Sequence, residues 1–380
     1  MDFTLTEGQK MLQKTAAEFA EKYVEPRAEE IDRTGEFPRD IFEKMCQVGF
    51  AGIGTPEKYG GSGGIDIDKV LAVTEIAKKD ASCAAILSIH TIFASVLNKF
   101  GTEEQKQKYL PETTNGGALG AFALTEPNAG SDAGNAKTTA ILDEKTGEYV
   151  INGTKCFISG GSQAKNLLIF ALTDPSRGTK GLSCILVEKD TPGFSVGKIE
   201  EKMGIHGSET AELIFEDCRV PKENLIGKEG QGFKIAMTAL DGARIGVAAQ
   251  ALGIAERALQ ESIKYMKERV QFGKPIAALQ GLQWYISDMP VRVECARWMI
   301  FRAAWLKVSG QPYTKEAAIA KLNASETATF VTNLALQIHG GYGYMKDYPL
   351  ERMYRDAKIT EIYEGTSEIH KVVISRAMLK

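Results

Sequence analysis

Residues 358–370 read KITEIYEGTSEIH. Ile359, Ile362, Tyr363 and Ile369 ask to be buried, yet Glu364 stands between an aromatic ring and a glycine. On one continuous helix Glu361, Glu364 and Glu368 would share a face, being three and four residues apart. A solvated acidic stripe is the ordinary reading of that pattern, because Glu is almost never fully buried unless paired. Whether Glu364 is surface or site depends on what the rest of the chain builds around it.

Upstream of this stretch the helical period dominates. Leu240, Ala248, Leu252, Ala255, Leu259, Ile263 and Met266 form one long apolar stripe. Ile319, Leu322, Val331, Leu334 and Ile338 mark another helix, ended by Gly340-Gly341, and Pro275 and Pro290 punctuate the interval. Residues 121–225 have a different texture. NLLIFALTD, LSCILVEKD and AELIFEDCRVP are short apolar runs bounded by turn residues, and EYVINGTKCFIS holds an Asn152-Gly153 pair that predicts a hairpin. Strands at this spacing suggest a small barrel or sandwich. Residues 1–120 are helical again: Leu12, Ala16, Phe19 and Tyr23 share a face, and VLAVTEIAKKDASCAAILSIHTIFASVLNKFG runs nearly unbroken after the KYGGSGG loop at 58–64. Helices, strands, then helices predict an α+β chain in three parts: 1–120, 121–225 and 226–380. A G-x-G-x-x-G after a strand is absent, which disfavours a Rossmann nucleotide site.

Composition narrows the function. The chain has 380 residues, 43% hydrophobic, a formal charge of -3 and a pI near 6.0. That balance offers no basic surface for nucleic acid. No run approaches the roughly 18–20 apolar residues of a membrane helix. Six scattered cysteines without a C-x-x-C pair, and four dispersed histidines, fit neither a disulfide framework nor a metal site. Buried, inert thiols in a reducing compartment follow. The N-terminal pattern has no leader, so the cytoplasm is expected, or the mitochondrial matrix for a chain whose transit peptide has been left out.

Four stretches ask for more than packing. FALTEPNAGSDAG (122–134) brings the hydroxyls Thr125 and Ser131 to the seam between helical and strand regions, as an interdomain loop or as a backbone nest for an anion. KCFISGG (155–161) sets Phe157 and Ser159 two apart, hence on one side of a strand. Arg244 interrupts the apolar part of the long helix, where a lone cation needs an anion. Arg269, Phe272 and Gly273 follow at the end of that helix, and QIHGGYGYMKDYP (337–349) is a glycine-broken turn edged by Gln337.

Taken together, LTEPNAGSD, RVQFGKP and RDAKITEIYEGTSEI resemble the acyl-CoA dehydrogenases over nearly the whole chain. DGARIGVAAQALGIAE and KITEIYEGTSEI are most similar to the short-chain, butyryl-CoA members. The resemblance implies an N-terminal α-helical domain, a middle β-barrel-like domain and a C-terminal four-helix bundle. It implies FAD as cofactor, an acyl-CoA substrate, an electron-transfer flavoprotein as partner and a homotetramer. Phe122, Leu124, Thr125, Gly130 and Ser131 would then line the flavin, with Phe157, Ile158 and Ser159 against its ring. Arg269, Phe272, Gln280, Gln337, Gly340 and Gly341 would hold the adenine and pyrophosphate part of a neighbouring subunit's FAD, and Thr366 and Glu368 would complete the site. Ser131, Asp241, Arg244, Tyr363 and Gly365 would face the thioester and its CoA.

By the same resemblance Glu364 is the base that takes the α-proton while flavin N5 accepts the β-hydrogen as hydride. Some relatives carry the base just before the helical arginine, but here that residue is Ala243. Phe93, Trp284 and Tyr363 are candidates for limiting the acyl cavity. The implied activity is oxidation of short acyl-CoAs to trans-2-enoyl-CoAs. Rival readings are a branched or alicyclic acyl group, an enoyl-CoA reductase, an oxidase, or a flavin- or CoA-binding protein without catalysis.

Overall fold

A computed structural model describes residues 4–379. The first part is helical: α1 (Glu7–Phe19), α2 (Ala28–Thr34), α3 (Arg39–Val48), α4 (Asp66–Ala77), α5 (Ala81–Phe100) and α6 (Glu103–Thr114). The long apolar run is two helices, not one. Asp80 divides it, accepting the Cys83 N–H at 2.8 Å as the cap of α5. By length and composition α5 could span a membrane, contrary to the sequence reading, but 83% of its apolar 18-residue window is buried within the protein.

The middle part holds β1 (Gly120–Ala123), β2 (Thr139–Asp143), β3 (Glu148–Ser159), β4 (Asn166–Leu172), β5 (Leu182–Glu188), β6 (Phe194–Ile199), β7 (Thr210–Pro221) and β8 (Leu225–Ile226). They form one sheet in the order β6-β7-β3-β2-β4-β5-β8, with β1 parallel to β4. Asn152-Gly153 is not a turn. β3 runs straight through it, with a register shift against β7 between Ile151 and Gly153. The hairpin closes earlier, at 144–147, where the Gly147 N–H meets the Asp143 carbonyl at 2.8 Å and Gly147 has φ 72°. Gly153 is needed for closeness instead, since a Cβ there would lie 2.6 Å from Thr138 Oγ1.

Long helices follow: α7 (Gly232–Glu268), then a two-stranded turn of β9 (Val270–Gln271) and β10 (Lys274–Pro275), then α8 (Gln280–Val308) and α9 (Thr314–His339). The helices α10 (Leu350–Ile359) and α11 (Ser367–Met378) close the chain. Pro290 does not punctuate this region. It sits inside α8, which continues unbroken for 29 residues. α7, α8 and α9 pack on one another, α10 and α11 lie against α9, and α4 and α5 pack on α7. One core therefore spans both helical parts, running from Phe19 and Ile76 to Ile254 and Ala328. A second joins α5 to the sheet and to α7 through Phe93, Phe170 and Ile235. α8 leaves Trp284, Val291, Trp298 and Trp305 exposed at seven-residue intervals.

Candidate active site

The stretch around Glu364 is not one helix. α10 ends at Ile359, and α11 begins at Ser367 behind Thr366, whose hydroxyl accepts the Ile369 N–H at 3.3 Å. Glu364 lies in the connection at φ 56°, a left-handed conformation that costs a non-glycine residue. The three glutamates therefore do not share a face. Glu361 turns back to accept from Thr329 and Lys358, and Glu368 is exposed at the start of α11. Ile362 is exposed rather than buried.

The Glu364 carboxylate is directed inward. Its Oε2 is sealed from solvent and has no hydrogen-bond partner. Burial pushes its pKa up to about 7, against the opposing charges of Arg244 and Lys321. Lys321 is completely buried on α9 and donates to the Gly365 carbonyl at 2.7 Å, pinning the residue that follows the carboxylate. Burial brings the Lys321 ammonium down to about 7, while Glu364 favours its charge. His370, also fully buried, lies against Gly365, where an added Cβ would be 3.2 Å from Cε1. Burial, with the Lys321 and Arg244 charges, holds His370 neutral with a pKa of about 3. The Tyr363 hydroxyl donates to Gln250 Oε1, and Gln250 donates to the Ala81 carbonyl at 3.0 Å.

Lys321 escaped sequence reading, although its signal matches that of Arg244: a cation inside an apolar helical stripe. Arg244 finds its anion within the chain, donating to Asp241 Oδ1 at 2.6 Å, and Asp241 also accepts from Thr314 at 2.5 Å. The Arg244 Nε remains buried without a partner. Burial raises Asp241, with Thr314 and Arg244 opposing.

Beside α7 lies a cavity of about 470 Å³, lined by Ser88, Thr91, Ile92 and Ser95 of α5, by Ala243 and Gly246 of α7, and by Lys69 of α4. Its size suits a small ligand group. Of the expected size-limiting residues, Phe93, Trp284 and Tyr363, none is among the lining residues. Phe93 is in the core beneath Gly120, and Trp284 is exposed on α8.

A second group forms at the seam of helices and sheet. The Cys156 N–H donates to the Thr125 carbonyl at 3.0 Å, so Leu124 and Thr125 stand beside the end of β3 that carries Phe157, Ile158 and Ser159. Lys155 clamps that contact from within, donating to the Leu124 carbonyl at 3.2 Å, to Glu126 at 2.7 Å and to the Phe170 carbonyl at 2.5 Å. Phe157 has φ 56° at a second register shift and is 64% exposed, a large ring held in solvent by a strained backbone. Phe122 packs on Phe170, and Gly130 and Ser131 are exposed further along the loop.

A third group surrounds another cavity, of about 560 Å³, lined by Arg269, Phe272, Gln337, Gly340 and Gly341. Phe272 is 88% exposed, again at positive φ, and the Arg269 guanidinium lies 5.3 Å from the Tyr342 ring centre. Gln280 begins α8 next to this cavity but does not line it. Exposed rings, a cation and open glycine backbone give this cavity the chemistry to hold a planar, anionic group. Five of the six cysteines are buried, and Cys295 is exposed.

Three helical and sheet parts thus surround a solvent-shielded, unpartnered carboxylate oxygen at Glu364, with one cavity beside α7 and another at the Arg269 turn. The chain belongs to the acyl-CoA dehydrogenase family: its N-terminal domain model matches residues 6–117, its middle domain model 121–218 and its C-terminal domain model 230–379. An acryloyl-CoA reductase (NADH) of Anaerotignum propionicum is 68% identical over all of this chain and 96% of its own. The butyryl-CoA dehydrogenase structure from Megasphaera elsdenii is 48% identical, with TM-score 0.98 and full coverage of both chains. A chain from the structure of the electron transferring flavoprotein of Acidaminococcus fermentans, directed at flavin-based electron bifurcation, is 53% identical with TM-score 0.98 over both full chains.

Proposed function

We propose that this enzyme interconverts a short acyl-CoA and its trans-2-enoyl-CoA, with Glu364 carrying the α-proton. The observation that carries this is the unpartnered Glu364 Oε2, shielded from solvent, on a carboxyl whose pKa burial raises to about 7. Such a carboxylate is well matched to moving a carbon-bound proton near pH 7. The neighbouring charges of Arg244 and Lys321 keep it available as an anion. An enolate formed by losing that proton needs donors at the thioester oxygen, and the Glu364 backbone N–H is placed on the same strained turn. Lys321 fixes that turn through the Gly365 carbonyl. Gly365, at φ 102°, allows the turn itself and the close approach of His370 behind it. Asp241 and Arg244 supply polar contacts for the CoA arm beside the cavity.

FAD is the cofactor, and when bound it supplies the two-electron acceptor for the β-hydrogen. Phe157, Ile158, Ser159 and Thr125 would face its ring. Arg269, Phe272, Gln337, Gly340 and Gly341 would hold the adenine end of the FAD of a second subunit. The exposed apolar series on α8 supports association, and a homotetramer is the assembly proposed. An electron-transfer flavoprotein is the proposed redox partner.

The likeness to an acryloyl-CoA reductase favours a second reading, in which the enzyme works physiologically toward the saturated thioester. The residues serve both directions, with Glu364 returning the proton. Anaerobic titration with butyryl-CoA while following the flavin band tests the proposal: bleaching near one equivalent is expected, and a yellow protein indifferent to propionyl-, butyryl- and branched acyl-CoAs would end it. Turnover of acryloyl-CoA with NADH and an electron-transfer flavoprotein, compared with oxidation of propionyl-CoA, decides the direction.

A further inference from the structure

The cavity beside α7 has an unusual wall for a site that is to take a fatty acyl chain. Thr91 and Ser95 already donate their hydroxyls to the Ser88 and Thr91 carbonyls, at 2.8 and 2.7 Å. Lys69 also lines the cavity, its ammonium close to Gly54, where a Cβ would be 3.8 Å away. The nearby carboxylate, Asp66, is engaged by Lys307 at 2.5 Å. The Lys69 backbone N–H donates to the Ile65 carbonyl at 3.3 Å, but its ammonium makes no hydrogen bond or ion pair with another described residue. Burial, with the Lys307 charge, lowers its pKa to about 8, and Asp66 only partly offsets this.

We propose that Lys69 sets the upper length of the acyl group, by placing an uncompensated ammonium where the tail of a longer chain would lie. The inference rests on the function proposed above, with the acyl group taken into this cavity. A methylene entering an apolar pocket ordinarily strengthens binding roughly fourfold. A methylene that reaches Lys69 must instead strip water from a cation that has no anion to replace it, and that cost opposes the gain. Three- and four-carbon acyl groups are therefore expected to escape this conflict and six-carbon chains to meet it.

The test is kcat/KM for propionyl-, butyryl- and hexanoyl-CoA on the FAD-loaded enzyme, with Lys69→Leu and Lys69→Arg as variants. The wild type should lose at least about tenfold between butyryl- and hexanoyl-CoA. Lys69→Leu should raise the hexanoyl-to-propionyl ratio at least about tenfold, and Lys69→Arg should keep the ratio within about threefold of wild type. An unchanged ratio in a Lys69→Leu protein with normal flavin content and melting overturns the inference while leaving the function intact. Wild-type enzyme that prefers glutaryl-CoA to butyryl-CoA also overturns it, because the ammonium would then recruit a carboxylate. A flavoprotein reduced by none of these thioesters overturns both readings.

Discussion

Lys155 with Glu126, and Glu364 with Lys321 and Arg244, both hold charge out of water, and they are finished differently. Lys155 uses its protons on the Leu124 and Phe170 carbonyls and on Glu126. Glu126 accepts from Lys155 and the Thr138 N–H on one oxygen and from the Lys137 N–H on the other. Burial raises the Glu126 pKa, but the Lys155 charge and these bonds bring it below the ordinary value. Around Glu364 the accounting stays open: Glu364 Oε2, Arg244 Nε and both His370 ring nitrogens have no partner. A saturated buried pair specifies a structure, whereas unsatisfied groups gathered in one place mark where a ligand or a proton is to arrive.

Breaking the open cluster has the largest effect. Glu364→Gln should lower the anaerobic flavin-reduction rate by ~10²–10⁴-fold with unchanged FAD content, and a variant reducing within tenfold of wild type removes Glu364 as the base. The same substitution tests its raised pKa. Above the ordinary value of 4.5 an unfolded chain ionises Glu364 while the folded chain retains the proton up to about 7. Stability is therefore lost across that interval as pH rises. Glu364→Gln should melt higher than wild type at pH 8 and equally at pH 4; the opposite order would show that the carboxylate is not held up by burial.

Breaking the closed cluster should cost stability rather than chemistry. Lys155→Met strands Glu126 and is expected to lower unfolding stability by about 3–5 kcal/mol, read by denaturant titration. A loss below about 1 kcal/mol would mean that water reaches Glu126. Lys321→Met sharpens the contrast. It removes one hydrogen bond, about 1–1.5 kcal/mol, or roughly tenfold in rate if the turn loosens. Because the Lys321 charge lowers the Glu364 pKa, the acidic limb of the pH–rate profile should move to higher pH, and a stationary limb would leave Lys321 purely structural. The smallest effect is that of Thr366→Ala, which removes the cap of α11 and should cost about 1 kcal/mol, measured as a melting shift.

The apolar periods of α7 and α9 were readable because both helices pack on several sides, and Glu364 stood out because its neighbours form a distinctive string. Its conformation was not. A stripe of three glutamates looks helical in one dimension, and only the Thr366 cap and the left-handed turn separate them. Asn152-Gly153 misled for a related reason: the glycine answers to Thr138 across the sheet, a contact without local signature. Pro290 misled because a proline is judged by its own helix, while α8 is held by its neighbours in the bundle. Lys321 carried the same signal as Arg244, a cation within an apolar stripe, whereas Lys69 had none until α4 and α5 enclosed the cavity.

The left-handed backbone at Glu364 has a consequence for how this sequence can change over time. A glycine or asparagine there would relieve a conformational cost of about 1–2 kcal/mol and also end the burial of a carboxylate. Random drift filtered only by stability would therefore carry position 364 away from glutamate. With the role proposed for Glu364, only the reaction would favour glutamate there, against a thermodynamic incentive to lose it.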